Sequence, residues 1–511
     1  MTEYYVRTDG SDSNDGLTNS SGGAWLTVQK AADTVTGAGD NVNIQAGTYS
    51  EDVSRNTVGD GTEGNPISFI GNSATVSSFE IRGDDHIKLQ SINFNSTSNT
   101  LTGQVHLHTA HRAIIQDCSF VNARVASIAG RGVDGSRSNT CEILNNTFDK
   151  CQRCIVCYGD AGGGGFTNSI GKSGWYIFGN KSTELTWHDD SGINDIDFIR
   201  LLSGDFHTIK SNWCTGNTLE SVYNQYYGTH TGGSSSTVMT DSTITIGGSP
   251  GIAYVGNTIK NLTTSATGTV TSTTATTITC SGELSGGGRD NLWANGDEWT
   301  MSATPHVDAV QTFNSGNEGH PVSDILIEDN IFETVNTGIQ FSNAGDALNS
   351  DWVVRRNVIA NGLEIKFLGL TNGGSPFNCT DMDLGTNVFE HNTSYTMGQS
   401  AVWLDSVLDT HRNNVYQDVG SQSYTFTGTT TVTDNDYNQT NPNASPDAGA
   451  NDLTGAVTFE DDTDVIGPDD LIFTADDGLR LASGSVGLGG ASDGTDVGAY
   501  QQTIRYRARQ L

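Results

Sequence analysis

Positive charge is scarce in this sequence. Lys and Arg total 25 of 511 residues against 59 Asp and Glu, a formal net charge of −34. A nucleic-acid-binding chain carries a basic face. Nothing here supplies one, so no nucleic-acid partner is expected. The same charge repels polyanions. An acidic polysaccharide would need bridging cations or a local basic patch, whereas a neutral glycan needs neither. Long apolar runs are missing as well, so no membrane span and no membrane partner are expected. The opening MTEYYVRTDGSD lacks the charged and apolar segments of a secretory signal. Either a signal has been removed, or the protein leaves the cell by another route, such as lysis as part of a virus particle; the expectation is an extracellular or virion-associated protein. Proline is rare, with 8 residues, while glycine reaches 62. Only eight cysteines occur, and Cys151, Cys154 and Cys157 form a C-x2-C-x2-C run. No fourth metal ligand matches them. They read as small buried residues in stacked strands.

What the sequence does have is an internal repeat. HTIKSNWCTGN (207–217), IAYVGNTIKN (252–261), DILIEDNIFET (324–334), WVVRRNVIAN (352–361), MDLGTNVFEHN (382–392) and HRNNVYQDV (411–419) share one plan. A short alternating strand leads to Asn, and an apolar residue follows within one or two places. The Asn positions are Asn146, Asn180, Asn212, Asn257, Asn330, Asn357, Asn387, Asn414 and Asn435, with Ile92 and Cys118 at the equivalent place earlier. Short strands repeating every 20 to 34 residues are a solenoid signature. They fit a parallel β-helix whose coils stack at about 4.8 Å. The recurrent Asn then sits at a bend and hydrogen-bonds to the Asn of the next coil.

Two steps of the repeat are long. One holds THTGGSSSTVMTDS, and the other holds a Thr-rich stretch ending in WANGDEWTM. The second is expected to form a small β subdomain over residues 262–301. Trp293 and Trp299 are candidate stacking surfaces for a glycan there.

Both ends of the chain carry family features. YYVRTDGSDSNDG runs into AWLTVQKAADTVTGAGDNVNIQAGTYSEDV, and DGLRLASGSVGLGGASDGTDVGAY (477–500) stands near the C-terminus. These stretches resemble the right-handed parallel β-helix proteins of the pectate-lyase-like superfamily, which includes bacterial and phage polysaccharide-degrading enzymes. The resemblance implies a cap and first coil over 1–55, with a helix near Val28–Val35 covering the open end. It also implies a closing segment over 470–511. The fold expected is therefore all-β: a right-handed parallel β-helix solenoid with an N-terminal helix cap and a small inserted β subdomain. The superfamily spans lyases, hydrolases, epimerases and tailspikes, so activity must be argued from a site.

Ligands of a β-helix lie along one sheet, where outward side chains of successive coils align. Six expected strands align: DIDFIRLL (195–202), SVYNQYYG (221–228), HVDAVQTF (306–313), TGIQFSN (337–343), LEIKFLGL (363–370) and AVWLDSV (401–407). Alternation places Ile196, Phe198, Val307, Ala309, Ile365 and Phe367 inward. It leaves Asp195, Asp197, His306, Asp308, Glu364, Lys366, Trp403 and Asp405 outward. Arg200, Gln311 and Gln340 fall near strand ends.

With the Tyr223–Tyr227 coil between them, the backbones of Asp197 and Asp308 would be about 9 to 10 Å apart. That is near the carboxylate separation of inverting glycosidases, roughly 6.5–9.5 Å. Asp197 and Asp308 are the candidate acid/base pair, with His306 to tune them. Gln311, Gln340, Glu364, Trp403, Asp405, Trp187, Tyr226 and Tyr227 are candidate substrate contacts. The rival chemistry is β-elimination on a uronic-acid glycan. Lys366 or Arg200 would act as base there, Tyr226 or Tyr227 as acid, and Asp195, Asp197 and Asp308 as Ca²⁺ ligands. Hydrolysis needs no cofactor. The leading expectation is a polysaccharide-degrading enzyme, either glycoside hydrolase or polysaccharide lyase, with the acidic charge and the carboxylate pair favouring hydrolysis. The other class is a non-catalytic, tailspike-like glycan binder. The chain is expected to be a monomer or a homotrimer.

Overall fold

The computed structural model describes the chain except for residues 96–102, 124–130, 137, 159–173, 187–194, 202–203, 218–226, 244–257, 283, 287–290, 302–305, 315–321, 344–349, 363–374, 381–385, 405–406, 421, 429 and 502–511. Two long sheets run through it, one of 13 strands and one of 22, and every pairing within them is parallel. A single coil shows the plan. Tyr176–Phe178 lies on the first face, Lys181–Leu185 on the second and Asp195–Leu201 on the third. The next coil repeats it with Thr208–Lys210, Trp213–Cys214 and His306–Asn314. This is the parallel β-helix that the repeat predicts. No helix among the described residues is long and apolar enough to cross a membrane.

The lumen is filled by residues of like kind at like register. Phe94, Phe120 and Phe148 are direct cross-strand partners. Their rings stack at 5.1 and 4.8 Å between centroids, because the strand spacing itself matches the stacking distance. Ile196, Phe198, Val307 and Ala309 are buried in the same core, as alternation requires. All eight cysteines are buried. Burial pushes the thiols of Cys118, Cys141 and Cys214 up to about 12, which leaves them inert.

The N-terminal helix Val28–Thr34 buries Val28, Ala31 and Ala32 against the first coils. Thr27 caps it by accepting from the Lys30 backbone N–H at 3.1 Å. At the other end Arg55, fully buried, donates to the carbonyls of Ala32 and Val35, both at 2.9 Å, and pairs with Asp84 at 3.0 Å. Two of the carbonyls left orphaned at the end of the helix are thereby satisfied.

The asparagine ladder is real, and its membership differs in part from the expectation. It runs through Asn146, Asn180, Asn212, Asn330, Asn357, Asn392, Asn414 and Asn438, each side-chain carbonyl after Asn146 accepting from the Asn of the preceding coil. Asn392 replaces Asn387, and Asn438 replaces Asn435. Asn387 instead accepts from the Trp352 backbone N–H, ahead of a first-face strand. The left-handed backbone angle falls on the residue before each ladder Asn, as at Asn145, Gly179, Ser211, Asp329 and Arg356.

Asn257 lies outside the described residues. Thr258–Asn261, which follows it, belongs to no coil. It joins a six-stranded antiparallel sheet with Tyr227–Thr229, Val238–Thr240, Thr267–Thr273, Thr277–Cys280 and Glu298–Met301. Both long steps of the repeat therefore feed one inserted sheet, which begins at Tyr227, well before residue 262. Trp293 and Trp299 are fully buried in it. Trp299 donates to Asp241 at 3.0 Å. They are core residues of the insertion and do not offer a stacking surface.

The C-terminal segment also does more than close an end. Val465, Ile466, Leu479 and Ala499 pack on the outside of the second face against Trp213, Ile331, Val358 and Ala360. Val457, Leu481, Ala491 and Val497 do the same at Val415. An apolar stripe that would face water is covered by a strap from the chain's own end.

Candidate functional site

The third face brings the predicted residues together more tightly than expected. Asp195–Leu201 pairs directly with His306–Asn314, with Asp195 opposite His306, Asp197 opposite Asp308 and Arg200 opposite Gln311. Thr337–Asn343 follows, with Thr337 opposite Asp308 and Gln340 opposite Gln311. Asp197 and Asp308 are therefore one coil step apart, about 4.8 Å between backbones, and not two. No coil intervenes, because the two strands pair directly, and Tyr227 pairs with Thr300 in the inserted sheet. The separation that suggested an inverting pair does not arise.

Strict alternation also fails at this face, for a local reason. Phe198 and Ile199 are both buried in the core, as are Ala309 and Val310. Two consecutive inward residues mark a corner in the coil. The corner returns Arg200 to the side of Asp197, and Gln311 to the side of Asp308. Arg200 Nη1 donates to Asp197 Oδ2 at 3.2 Å, and Gln311 Nε2 donates to Asp308 Oδ2 at 2.8 Å. The same carboxylate-plus-three pairing thus recurs on consecutive coils.

A further cation was not anticipated. Arg153, opposite Asp197 on the preceding coil, places Nε 3.1 Å from Asp197 Oδ2. Two guanidiniums converge on one carboxylate. Asp197 and Asp308 are 0 % exposed, Arg153 3 % and Arg200 8 %. Arg153 lies in RCIVCY, where the cysteine spacing drew attention away from the strand register that would have found it.

Other candidates fare differently. Gln340 is half-buried beside Gln311. Trp403 was expected outward, yet it is fully buried and packs on Phe377, Phe389, His411 and Phe426. It is a core residue, placed inward by pairing Trp403 with Cys379 on the previous coil. Lys366, Glu364, Asp405, Trp187 and Tyr226 lie outside the described residues. Asp195 and His306 are placed by register only. The Ca²⁺ set does not fit at Asp197, whose oxygen faces two guanidiniums that would repel a cation. No group of three or more His, Cys, Asp or Glu among the described residues is placed to hold a metal ion.

No protein family and no curated protein matches the sequence. Solved structures do. A pectate lyase, Pel9A, is similar over 98% of this chain and 96% of its own, at 11% identity and a TM-score of 0.46. A rhamnogalacturonan lyase is similar over 77% of this chain and 82% of its own, at 15% identity and a TM-score of 0.34. The Streptococcus pneumoniae surface protein and adhesin PfbA is similar over 84% of this chain and 94% of its own, at 11% identity and a TM-score of 0.41.

Proposed function

We propose that this chain is a polysaccharide-degrading enzyme that holds an acidic glycan along the third face and cleaves it by β-elimination. The observation that carries the reading is the convergence of Arg153 and Arg200 on Asp197, in register with Asp308, Gln311 and Gln340. Two guanidiniums against one carboxylate leave one net positive charge at this point, in a chain short of positive charge, and that makes a local site for an anion. Elimination needs such a site. The proton beside a uronate carboxylate becomes acidic only when the carboxylate charge is neutralised. A base takes that proton, and its electron pair becomes the new carbon–carbon double bond. The glycosidic carbon–oxygen bond breaks, and the leaving oxygen gains a proton. Arg153 and Arg200 are assigned to the carboxylate. His306, registered opposite Asp195, is assigned as base. Such a polymer is met outside the cell, which accords with an extracellular protein.

A second reading rests on one observation. Asp197 and Asp308 stand in direct register on adjacent strands, with backbones about 4.8 Å apart, and retaining glycosidases hold their two carboxyl groups about 5 Å apart. Retaining hydrolysis therefore replaces inverting hydrolysis as the alternative. Incubation with a panel of acidic and neutral glycans separates the readings. Ultraviolet absorbance from an unsaturated uronate is the expected result. New reducing ends without that absorbance would replace elimination by hydrolysis. Tight binding with no new ends would make the chain a glycan binder without catalysis.

A further inference from the structure

The third face does not end at Arg153. By register the strands continue toward the N-terminal helix, with Val156, Asp134, His106, Glu80 and Ser54 following Arg200, each opposite the next. A neighbouring row pairs His108 with Arg82. These coils hold a cluster that takes no part in the centre described above.

Glu80 is its hub. One carboxylate oxygen accepts from Arg82 Nη2 at 2.6 Å and lies 3.2 Å from His106 Nδ1. The other accepts from Ser54 Oγ at 2.8 Å. Burial alone would raise the Glu80 pKa, but the contacts with Arg82, Ser54 and His106 hold it below its ordinary value. The carboxylate is thus committed to holding its neighbours. With Nδ1 on Glu80, the Nε2 edge of His106 faces away from that carboxylate. The His106 and His108 rings meet edge to face at 5.7 Å. Arg82 keeps a 40% exposed side chain with donors beyond the one given to Glu80. Arg82 therefore presents donors outward, and His106 Nε2 adds one when the ring carries both protons, while the Glu80 acceptor beneath them is used up.

We propose that Arg82, His106 and His108 form a second anion-binding station, so that the charged stretch of an acidic glycan runs from Arg200 toward the N-terminal helix. This rests on the reading that the third face binds an acidic glycan. His106 lies three coil steps from Arg200, about 14 Å along the axis. That is far enough for the two stations to hold different sugar units of one chain. In the opposite direction the row continues as Gln311, Gln340, Asn378 and Val402. These residues carry no charge, so the track is polar in sense. Its charged residues lie on the N-terminal side of Gln311 and its neutral ones on the C-terminal side.

The test is calorimetric binding of the full chain to a long and a short oligogalacturonate, the same pair of oligomannuronates, and a neutral malto-oligosaccharide. Arg82→Gln and His106→Gln are expected to weaken the long acidic oligosaccharides about tenfold, the loss of one charge-assisted hydrogen bond, while the short ones keep their affinity. Arg412→Gln, on the first face, serves as the control. Unchanged affinity for the long acidic oligosaccharides would overturn the station. An equal loss on long and short ones would overturn it as well, since the residues would then be acting through the fold. Should either variant fail to fold, the wild type decides: its affinity for the long acidic oligosaccharides must fall more steeply with salt than for the short ones. Formation of unsaturated products alongside a failed station would leave the elimination reading standing. Binding of the neutral sugar alone would remove both.

Discussion

Asn212 and Asn330 stand 118 residues apart in sequence, yet Nδ2 of Asn212 donates to Oδ1 of Asn330 at 3.0 Å. The inserted sheet leaves the solenoid and returns without breaking the ladder. Asn330 also donates to the carbonyls of Ile209 and Glu328 and to Asn357. Asn330→Ala would leave several buried groups without partners. We expect a loss of about 3 kcal/mol, each unsatisfied group costing roughly 1–3 kcal/mol. Urea unfolding measures it, and a change under about 0.5 kcal/mol would show that the ladder is decorative.

The arginine pair at Asp197 separates chemistry from stability. Arg153→Gln is expected to cut elimination by more than about a hundredfold, as for loss of one preorganised charge-stabilising donor. Asp308→Asn should lower it by less than about tenfold, because Asp308 is not assigned to proton transfer. Initial rates on an acidic glycan decide this. A collapse of activity in Asp308→Asn with only a small effect in Arg153→Gln would favour the retaining hydrolase.

Asp197→Asn tests the same cluster from the other side. It leaves two buried guanidiniums facing an uncharged amide. Breaking a buried pair costs about 3–5 kcal/mol. The melting temperature should drop clearly, and a variant as stable as wild type would show that other groups compensate both arginines.

His411 makes stability depend on pH. It is buried among Trp403, Tyr416, Tyr424 and Phe426. Burial pushes its pKa down to about 4, against a smaller opposing effect from the Asn435 hydrogen bond. A folded-state value below the unfolded one means that the unfolded chain binds the extra proton. The His411 contribution is therefore fully present above the ordinary histidine value of about 6.5. It is lost as pH falls from there toward about 4. Over that window the His411→Phe variant should lose less stability than wild type. Parallel curves of melting temperature against pH for the two proteins would refute the assignment.

The strap on the second face gives a further test. Removing residues 456–511 would bare Trp213, Ile331, Val358 and Val415, which it now covers. The shortened chain is expected to associate or precipitate, because an apolar stripe along a sheet face recruits partners. Sedimentation at matched concentration reads this out. A monodisperse, soluble product would show that the strap is dispensable.

Much of the fold was legible because a solenoid repeats its chemistry at a short period. Alternating apolar residues marked the strands, and Val28–Thr34 was recognisable as a helix beside the first coil. The ladder was legible wherever one Asn stood before an apolar pair. It was misplaced at Asn387 and Asn435, where a second Asn followed within a few residues and both fitted the pattern. The inserted sheet was sensed from residue 262 and missed from Tyr227, since Thr and Ser alternation looks alike in a coil and in an insertion.

The sequence by itself determined the strand periodicity, the inward residues Ile196, Phe198, Val307 and Ala309, and the choice of His306, Asp308 and Arg200 as groups of interest. Tertiary structure alone decided which coils are neighbours. That choice set Asp197 beside Asp308, brought Arg153 to the same carboxylate as Arg200, turned Trp403 into the core and folded the C-terminal segment along the second face. The physical reason is the stacking itself. Lateral hydrogen bonds join strands separated by any length of chain. A local pattern says which way a side chain points, and only the register between coils says what it meets.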